Sequence, residues 1–213
     1  MASTAELMKK LQGTKNSLTG KEKGDLGESI ALSAIKRYDK EVNNTKSLIY
    51  QGFKYSYTAS VPGNAVYDKT SNSFKSFDSG SFDDEIDILY ITEYRIFIIE
   101  VKARSGTWVF KDDWSFVRNE PSEKCPAAQT EKHARQFYSR CYPYIPDGNP
   151  EYVKCVLCFV DRVKLLDKRQ HDYGIKLSIL NTLLMEISKL NIPLDRRIDI
   201  GGLETQLQLI RKV

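Results

Sequence analysis

Two apolar runs between Glu85 and Lys102 constrain the fold of this chain more than any other feature. The runs flank a polar turn at 92–94 and are rich in Ile, Phe and Tyr, which is typical of β-strands, so we predict a hairpin. Three charged side chains interrupt the apolar pattern, namely Asp87, Glu100 and Lys102. Buried charges are costly unless they are paired or bind a metal, so these three residues require an explanation.

Two explanations fit the charged residues of the hairpin. Side chains two apart on a strand point to the same face, so Glu100 and Lys102 project together and could form a structural ion pair. Alternatively, Asp87 and Glu100 face each other across the hairpin and bind a divalent cation, with Lys102 beside a reacting water. Carboxylate oxygens are hard ligands, which suit Mg²⁺ or Mn²⁺ better than zinc.

Composition sets only broad limits on the class of protein. The 213 residues, 41% of them hydrophobic and 28% charged, are enough for one domain with its own core. The net charge of +4 does not by itself indicate a polyanionic partner. No apolar run approaches the roughly 18 residues that span a membrane, and the first residues lack the apolar core of a signal peptide. We therefore expect a cytoplasmic protein without a membrane partner and with reduced thiols.

A C-x-x-C pair at Cys155 and Cys158 lies within an apolar run at 152–160 that is typical of a buried strand. Residues three apart on a strand point to opposite faces, which does not suit ligands of one metal ion. The sequence therefore predicts buried free thiols here.

The first half of the chain predicts an arm or short helix, a longer helix, a strand and a loop. The arm covers 1–20, and helical spacing of apolar residues predicts a helix over 21–39 that begins near Gly24. A strand at 47–61 is followed at 62–84 by turn-forming residues, which indicate a loop insertion or a loosely paired hairpin. Phenylalanines in this insertion either pack locally or stack on bases.

In the second half of the chain the sequence predicts a second hairpin, another strand and three helices. The last two helices belong to an extension that packs on the same domain. The expected bounds are hairpin 106–119, helix 127–142, strand 152–160, helix 175–190, a short helix from 203, and a C-terminal helical extension over 171–213.

Two polar features of the predicted helices have open interpretations. Glu28 lies in the first turns of its helix, where it either complements the helix dipole or stands beside the hairpin as another acidic group. Gln129, His133, Gln136 and Arg140 form a stripe along helix 127–142 that is either solvated or lines the same site.

The order of these motifs resembles the PD-(D/E)XK nuclease superfamily and, more narrowly, the nuclease-related domain, NERD. The resemblance covers roughly residues 20–165. It departs from the superfamily pattern in lacking a proline before Asp87 and in the long insertion at 62–84. The residues that carry it are Gly24-Asp-Leu-Gly27-Glu28, Glu85-Ile-Asp87, Ile98-Ile-Glu100-Val-Lys102, Ser105-Gly106, Trp114, and Pro126-Ala-Ala-Gln129 with His133.

The resemblance implies an α/β fold with a restriction-endonuclease-like core, in which a central mixed β-sheet is flanked by α-helices, over residues 21–170. It also implies a metal-dependent nuclease that hydrolyses phosphodiester bonds of DNA, with Asp87 and Glu100 binding Mg²⁺ or Mn²⁺ and Lys102 assisting the attacking water. Two further catalytic residues rest on the resemblance alone. Glu28 would add a contact around the metal, and Gln129 would hold the water or Lys102.

Basic residues near these motifs are candidate nucleic-acid contacts, namely Arg104, His133, Arg162 and Lys164. Contacts to phosphate position a nucleic acid without reading its sequence, and no helix-turn-helix or zinc-finger pattern is present, so we expect weak base specificity. The resemblance to nucleases implies DNA as a partner in preference to RNA, and a homodimer as one option. His133 has an alternative role as a partly exposed helix residue. Two other functions remain open: a non-catalytic module on the same fold that binds nucleic acid or protein, and an interaction protein that docks a partner through its Phe-rich loop.

Overall fold

A computed structural model describes residues 4–13, 18–59, 66–68, 73–75, 80–111, 116–117, 126–170 and 174–212. The helices are α1 Thr4–Gly13, α2 Gly20–Glu41, α3 Pro126–Cys141, α4 Leu180–Leu190 and α5 Ile200–Ile210. The strands are β1 Ser47–Ala59, β2 Val66–Asp68, β3 Ser73–Lys75, β4 Gly80–Thr92, β5 Ile96–Lys102, β6 Gly106–Phe110, β7 Phe116–Val117, β8 Val153–Phe159, β9 Val163–Asp167 and β10 Ile175–Ile179.

A five-stranded mixed sheet forms the centre of the fold, in the order β1-β4-β5-β8-β10. The pairs β1–β4 and β4–β5 are antiparallel, whereas β5–β8 and β8–β10 are parallel. Helices α2 and α4 pack on one face, called here the α2 side, and α3 and α5 pack on the other, the α3 side. Burial on both faces explains why the central strands read as nearly continuous apolar runs. The predicted fold, a mixed sheet flanked by helices, is confirmed.

The hairpin predicted between Glu85 and Lys102 is formed by β4 and β5. Its paired residues run from Ile91 opposite Ile96 to Ile88 opposite Ile99. Continued by one residue, this register sets Asp87 opposite Glu100, as the sequence predicted.

Strands β1 and β4 both change faces at Gly52 and Asp87, which lie between the paired residues Gln51–Ile88 and Phe53–Ile86. On a regular strand, residues that are two positions apart lie on the same face of the sheet. In β4, however, Ile86 packs on the α3 side and Ile88 on the α2 side. Gly52 has a φ of +54°, a left-handed conformation that glycine adopts at little cost. The irregularity predicted around Gly52 is therefore a face switch: on passing this point, the alternation of side chains between the α2 side and the α3 side is reversed in each strand.

A second, three-stranded sheet in the order β7-β6-β9 covers the predicted second hairpin. Strands β6 and β7 pair antiparallel, which confirms the hairpin, and β9 pairs parallel to β6. The amide of Gly106 donates to the carbonyl of Arg162 at 3.1 Å, so the links that leave β5 and β8 lie side by side. Trp114 lies outside the described residues.

Helix α2 begins four residues earlier than predicted, at Gly20 rather than near Gly24. The physical reason is a capping box: Thr19 accepts from the amide of Glu22, whose side chain accepts from the amide of Thr19. Helix α1 packs against α2, with Leu11 only 2% exposed, so part of the predicted arm is a docked helix.

Two segments differ in type from the prediction. Residues 80–84, expected in the loop insertion, extend β4 and pair with β1, while β2 and β3 form a short antiparallel pair within the insertion. Residues 175–179, expected at the start of a helix, form β10, because they pair in parallel with β8 and complete the central sheet. The following helix α4 and helix α5 match the rest of the predicted C-terminal extension.

The C-terminal residues of the chain contact the first strand, β1. Arg211 forms an antiparallel bridge with Tyr55, and the amide of Lys212 donates to the carbonyl of Lys54 at 2.9 Å. None of the helices in the described segments combines the length and hydrophobicity needed to cross a bilayer.

The C-x-x-C cysteines lie on opposite faces of β8, as the strand spacing predicted. Cys155 packs on the α3 side and Cys158 on the α2 side, both as buried free thiols. Burial raises the pKa of each thiol to about 12, so neither is a reactive thiolate near neutral pH.

Candidate active site

Glu100 and Lys102 form a direct ion pair at the end of β5. Lys102 Nζ lies 2.6 Å from Glu100 Oε1, and both side chains project to the α3 side of the sheet, two residues apart. The Glu100 side chain is 3% exposed, whereas that of Lys102 is 25% exposed. The carboxylate is therefore enclosed, while the ammonium retains access to solvent and to a substrate.

Asp87 lies beside this pair on the neighbouring strand. Its Oδ2 accepts a hydrogen bond of 2.7 Å from the backbone amide of Val101, the residue between Glu100 and Lys102. This bond fixes the Asp87 carboxylate beside β5. Burial and the negative charge of Glu100 raise the pKa of Asp87 to about 7. Asp87 and Glu100 are thus close enough to repel each other, and a cation between them would relieve that repulsion.

Glu100 is held in its ionised form. Burial acts to raise its pKa, but the contact with His133 and the positive charge of Lys102 lower it below the usual value. The cluster therefore contains two carboxylates of opposite tendency. The surroundings of Glu100 stabilise its ionised form, whereas those of Asp87 destabilise its ionised form.

His133 and Asp84 complete the cluster on the α3 side. His133 Nε2 lies 2.9 Å from Asp84 Oδ1, and His133 Nδ1 lies 3.5 Å from Glu100 Oε2. His133 is 3% exposed, so the structure places it against carboxylates rather than on the surface where a phosphate would bind. Asp84 was not anticipated, because strict alternation along β4 assigns it to the opposite face from Glu100.

Glu28 lies within electrostatic reach of the same carboxylates. It is partly buried, and this burial raises its pKa, opposed by a hydrogen bond with Gln51 and reinforced by the charges of Asp25, Glu85 and Glu100. Both interpretations of Glu28, a partner of the helix dipole and an acidic group beside the site, stay predictions.

Gln129 lies in the first turn of α3 and is exposed. The chain passes from the end of α3 into β8 at Val153, which pairs with Ile96 at the start of β5. Helix α3 therefore runs antiparallel to β5, and its first turn lies toward the Lys102 end of that strand. This position suits the predicted role of Gln129, which stays a prediction.

Three of the predicted nucleic-acid contacts are exposed near the same edge of the sheet. Arg104 lies two residues after the end of β5, Arg162 lies three residues after the end of β8, and Lys164 lies on β9 opposite Thr107. The parallel strands β5 and β8 end together, with Lys102 paired to Phe159, so the basic residues lie just beyond Lys102.

The residues of the cluster fit a hard divalent cation by their chemistry. Asp87 and Glu100 offer carboxylate oxygens, and burial together with the charge of Glu100 raises the pKa of Asp87, which a nearby cation would offset. Across the described residues, no three His, Cys, Asp or Glu side chains converge as a ready-made metal cage. Mg²⁺ does not require one, because it keeps several waters and is commonly held by one or two carboxylates together with substrate phosphates.

Comparison with protein families identifies the chain. A family model described as the nuclease-related domain matches residues 23–160, well over half of the sequence. The chain belongs to the nuclease-related domain family. This family is part of the restriction-endonuclease-like, or PD-(D/E)XK, superfamily, so the resemblance read from the motifs is confirmed. The family description points to a nuclease-related function.

Comparisons with individual proteins add little to the family assignment. A search of curated proteins found no match to this chain. The crystal structure of protein VC1899 from Vibrio cholerae is similar with a TM-score of 0.40 and 12% sequence identity, over 79% of this chain and 33% of that chain. The chain thus spans about a third of the length of that protein, and the likeness is too low to bear on function.

Proposed function

We propose that this nuclease-related domain protein is a metal-dependent nuclease that hydrolyses phosphodiester bonds of DNA with Mg²⁺ or Mn²⁺. The observation that supports the proposal is the grouping of Asp87, Glu100 and Lys102 on two adjacent strands, in which two carboxylates repel each other and a lysine contacts one of them at 2.6 Å.

Each residue of the group has a distinct role in this proposal. Asp87 and Glu100 would hold the cation, which supplies a nucleophilic water and stabilises charge on the phosphoryl group. Lys102 contacts Glu100 Oε1 and is 25% exposed. Its ammonium would stabilise the negative charge that develops on the phosphate. Glu28 adds a further acidic contact beside the cation, and Gln129 holds the attacking water or the lysine.

The proposed substrate is DNA, bound through its phosphates. Arg104, Arg162 and Lys164 would contact the backbone beside the scissile bond, because they lie just beyond the Lys102 end of the sheet. Phosphate contacts carry no sequence information, so we propose weak base specificity. A homodimer and a cytoplasmic location remain part of the proposal.

A second candidate function is a non-catalytic module that binds nucleic acid or protein. One observation favours it: both oxygens of Glu100 already face positive or polar groups, Lys102 at 2.6 Å and His133 at 3.5 Å. The cluster could therefore persist as a structural network without any cation.

A cleavage assay separates the two candidates. Labelled single-stranded DNA, duplex DNA and RNA would be incubated with the full chain and Mn²⁺ or Mg²⁺, with EDTA in a parallel reaction. The test variant is Lys102→Ala. The matched control is Lys154→Ala, because Lys154 is also a sheet lysine in an ion pair, 2.6 Å from Glu151 and with a side chain 20% exposed, but at the opposite end of the sheet.

We expect DNA cleavage that EDTA and Lys102→Ala abolish and that Lys154→Ala leaves intact. Cleavage that survives Lys102→Ala would contradict the proposed mechanism. Binding of DNA without cleavage under any metal condition would favour the non-catalytic module.

A further inference from the structure

A buried pair formed by Asp84 and His133 stands next to the proposed cation ligand Glu100 and has no role in the mechanism above. The Asp84 side chain is 12% exposed and that of His133 is 4% exposed. Buried polar groups of this kind are costly unless they are satisfied, so their grouping beside a third charged residue calls for an explanation.

The pair exists because of the face switch in β4. Asp84 shares its strand face with Ile86, which packs on the α3 side, whereas unbroken alternation from Ile88 would turn Asp84 toward α2. The switch opposite Gly52 thus brings Asp84 to the same face of the sheet as Glu100 and beneath α3. His133 comes from that helix, far away in sequence, so two distant elements converge on one carboxylate.

The two nitrogens of His133 have different contacts. Nε2 lies at hydrogen-bond distance from Asp84 Oδ1, 2.9 Å, and this contact sets the orientation of the ring. Nδ1 is buried without a hydrogen bond of normal length and faces Glu100 Oε2 at 3.5 Å. Asp84 therefore aims the free nitrogen of His133 at the oxygen of Glu100 that Lys102 does not hold.

Lys102 and His133 contact Glu100 from two sides: Lys102 Nζ donates to Oε1 at 2.6 Å, and His133 Nδ1 lies 3.5 Å from Oε2. A carboxylate held at Oε1 alone can turn about its own side-chain bonds. Contacts of this type around metal-binding side chains fix their orientation, and their removal commonly weakens metal affinity by about 10–100-fold.

We propose that Asp84 and His133 are positioning residues that hold the Glu100 carboxylate in the orientation in which it binds the divalent cation. The inference rests on the proposed metal-dependent function. Asp84 lies outside the motifs of the family resemblance, and His133, which lies within them, was considered there only as a contact to phosphate. His133 acts through Glu100 and does not contact the substrate.

The test measures Mn²⁺ affinity directly, by isothermal titration calorimetry on the purified full chain. His133→Leu removes both nitrogens, His133→Asn keeps an amide donor near the place of Nδ1, and Asp84→Asn removes the charge that orients the ring. Arg135→Ala is the matched control, because Arg135 lies on the same helix but is 78% exposed and pairs with Glu131.

We expect His133→Leu to raise the Kd for Mn²⁺ by about 10–100-fold, with His133→Asn closer to the wild type and Asp84→Asn in between. Arg135→Ala should bind as the wild type does. Cleavage by the variants should recover toward the wild-type kcat at saturating Mn²⁺, since a positioning residue changes the occupancy of the site more than the chemical step. A purely structural role would lower the melting temperature without this selective recovery.

The outcomes separate this inference from the proposed function. If the wild type binds no Mn²⁺, both are wrong. If the wild type binds Mn²⁺ and Asp87→Ala abolishes binding, but His133→Leu and Asp84→Asn bind as tightly as the wild type, only this inference is wrong. Circular dichroism checks the folding of each variant, and the nearly isosteric Asp84→Asn decides the matter if His133→Leu does not fold.

Discussion

Gly27 of α2 rests directly on Ala103, just beyond the end of β5. A Cβ atom on Gly27 would lie 2.6 Å from Ala103 Cβ and 2.8 Å from Val160 Cγ2, closer than side-chain atoms pack in proteins. The helix backbone therefore lies against the sheet without a side chain between them. This close approach fixes the position of the next residue, Glu28, whose pKa is raised by burial and in part by the charge of Glu100.

Gly27→Ala should push α2 away from the sheet. We expect a loss of about 1–3 kcal/mol in the free energy of unfolding, as for overpacked cores, together with a loss of cleavage activity as Glu28 withdraws. Urea unfolding and the cleavage assay provide the two readouts.

Gly24→Ala is the matched control for this change. Gly24 lies in the same helix with nothing within 4 Å of an added Cβ, so alanine should stabilise the protein by about 0.5–1 kcal/mol. Equal effects of the two substitutions would show that the close approach of Gly27 is not required.

Gly52→Ala should disturb the face switch of β1 and β4. The φ of +54° costs an alanine about 1–2 kcal/mol, and the added Cβ would meet Glu85 Oε1 at 2.9 Å. Because Asp84 depends on the switch to reach His133, the affinity for Mn²⁺ should fall as well. Gly52→Asn should cost less stability, since asparagine tolerates left-handed backbone; an alanine variant with unchanged stability and Mn²⁺ affinity would contradict this account.

The same switch shows where sequence reasoning ends. The hairpin of β4 and β5 was predictable because its apolar runs, its turn and the spacing of Glu100 and Lys102 are local signals. Asp84 was not predictable, because its orientation depends on a conformational change of both strands at Gly52. His133 was assigned to the surface or to phosphate for the same reason, since its buried partner was unknown.

The sequence predicted the wrong type of secondary structure where tertiary contacts override the local spacing of apolar residues. Residues 175–179 continue the apolar spacing of α4 and are a strand only because β8 offers them a parallel edge. By contrast, the start of α2 was visible in the sequence, since Thr19 followed three residues later by Glu22 is a capping box. The family motifs identified the family, which periodicity could not, and the role of Glu28 that they imply stays a prediction.

Asp87 should make the stability of the metal-free protein depend on pH. Burial and the charge of Glu100 raise its pKa from 3.8 to about 7, so the folded protein binds this proton more tightly than the unfolded chain. The resulting stabilisation is complete below the unfolded pKa and is lost as the pH rises through the folded value. In EDTA we expect the free energy of unfolding to be lower by about 1.4 kcal/mol at pH 8 than at pH 6.

Asp87→Asn is the control for this pH dependence, because it removes the titrating group while keeping the size of the side chain. Most of the difference between pH 6 and pH 8 should vanish in this variant. An unchanged difference would assign the effect to another group, such as Glu28, whose pKa burial also raises.

The described cysteines should resist thiol reagents in the native protein. Cys141, Cys155 and Cys158 are buried, and burial raises the pKa of each to about 12. In a Cys125→Ser background, reaction with a disulfide reagent should proceed only as fast as the protein unfolds. Rapid reaction of the folded variant would contradict the burial of these thiols.

The short return of the chain to β1 has a practical consequence. Arg211 and Lys212 occupy backbone groups of Tyr55 and Lys54 at the outer edge of the central sheet. Unpaired strand edges are templates for joining a second chain, so a version cut after Ile210 would expose these groups and invite self-association. A dimer seen only in such a shortened protein would be a product of the cut, and oligomeric state is best measured with residues 211–213 intact.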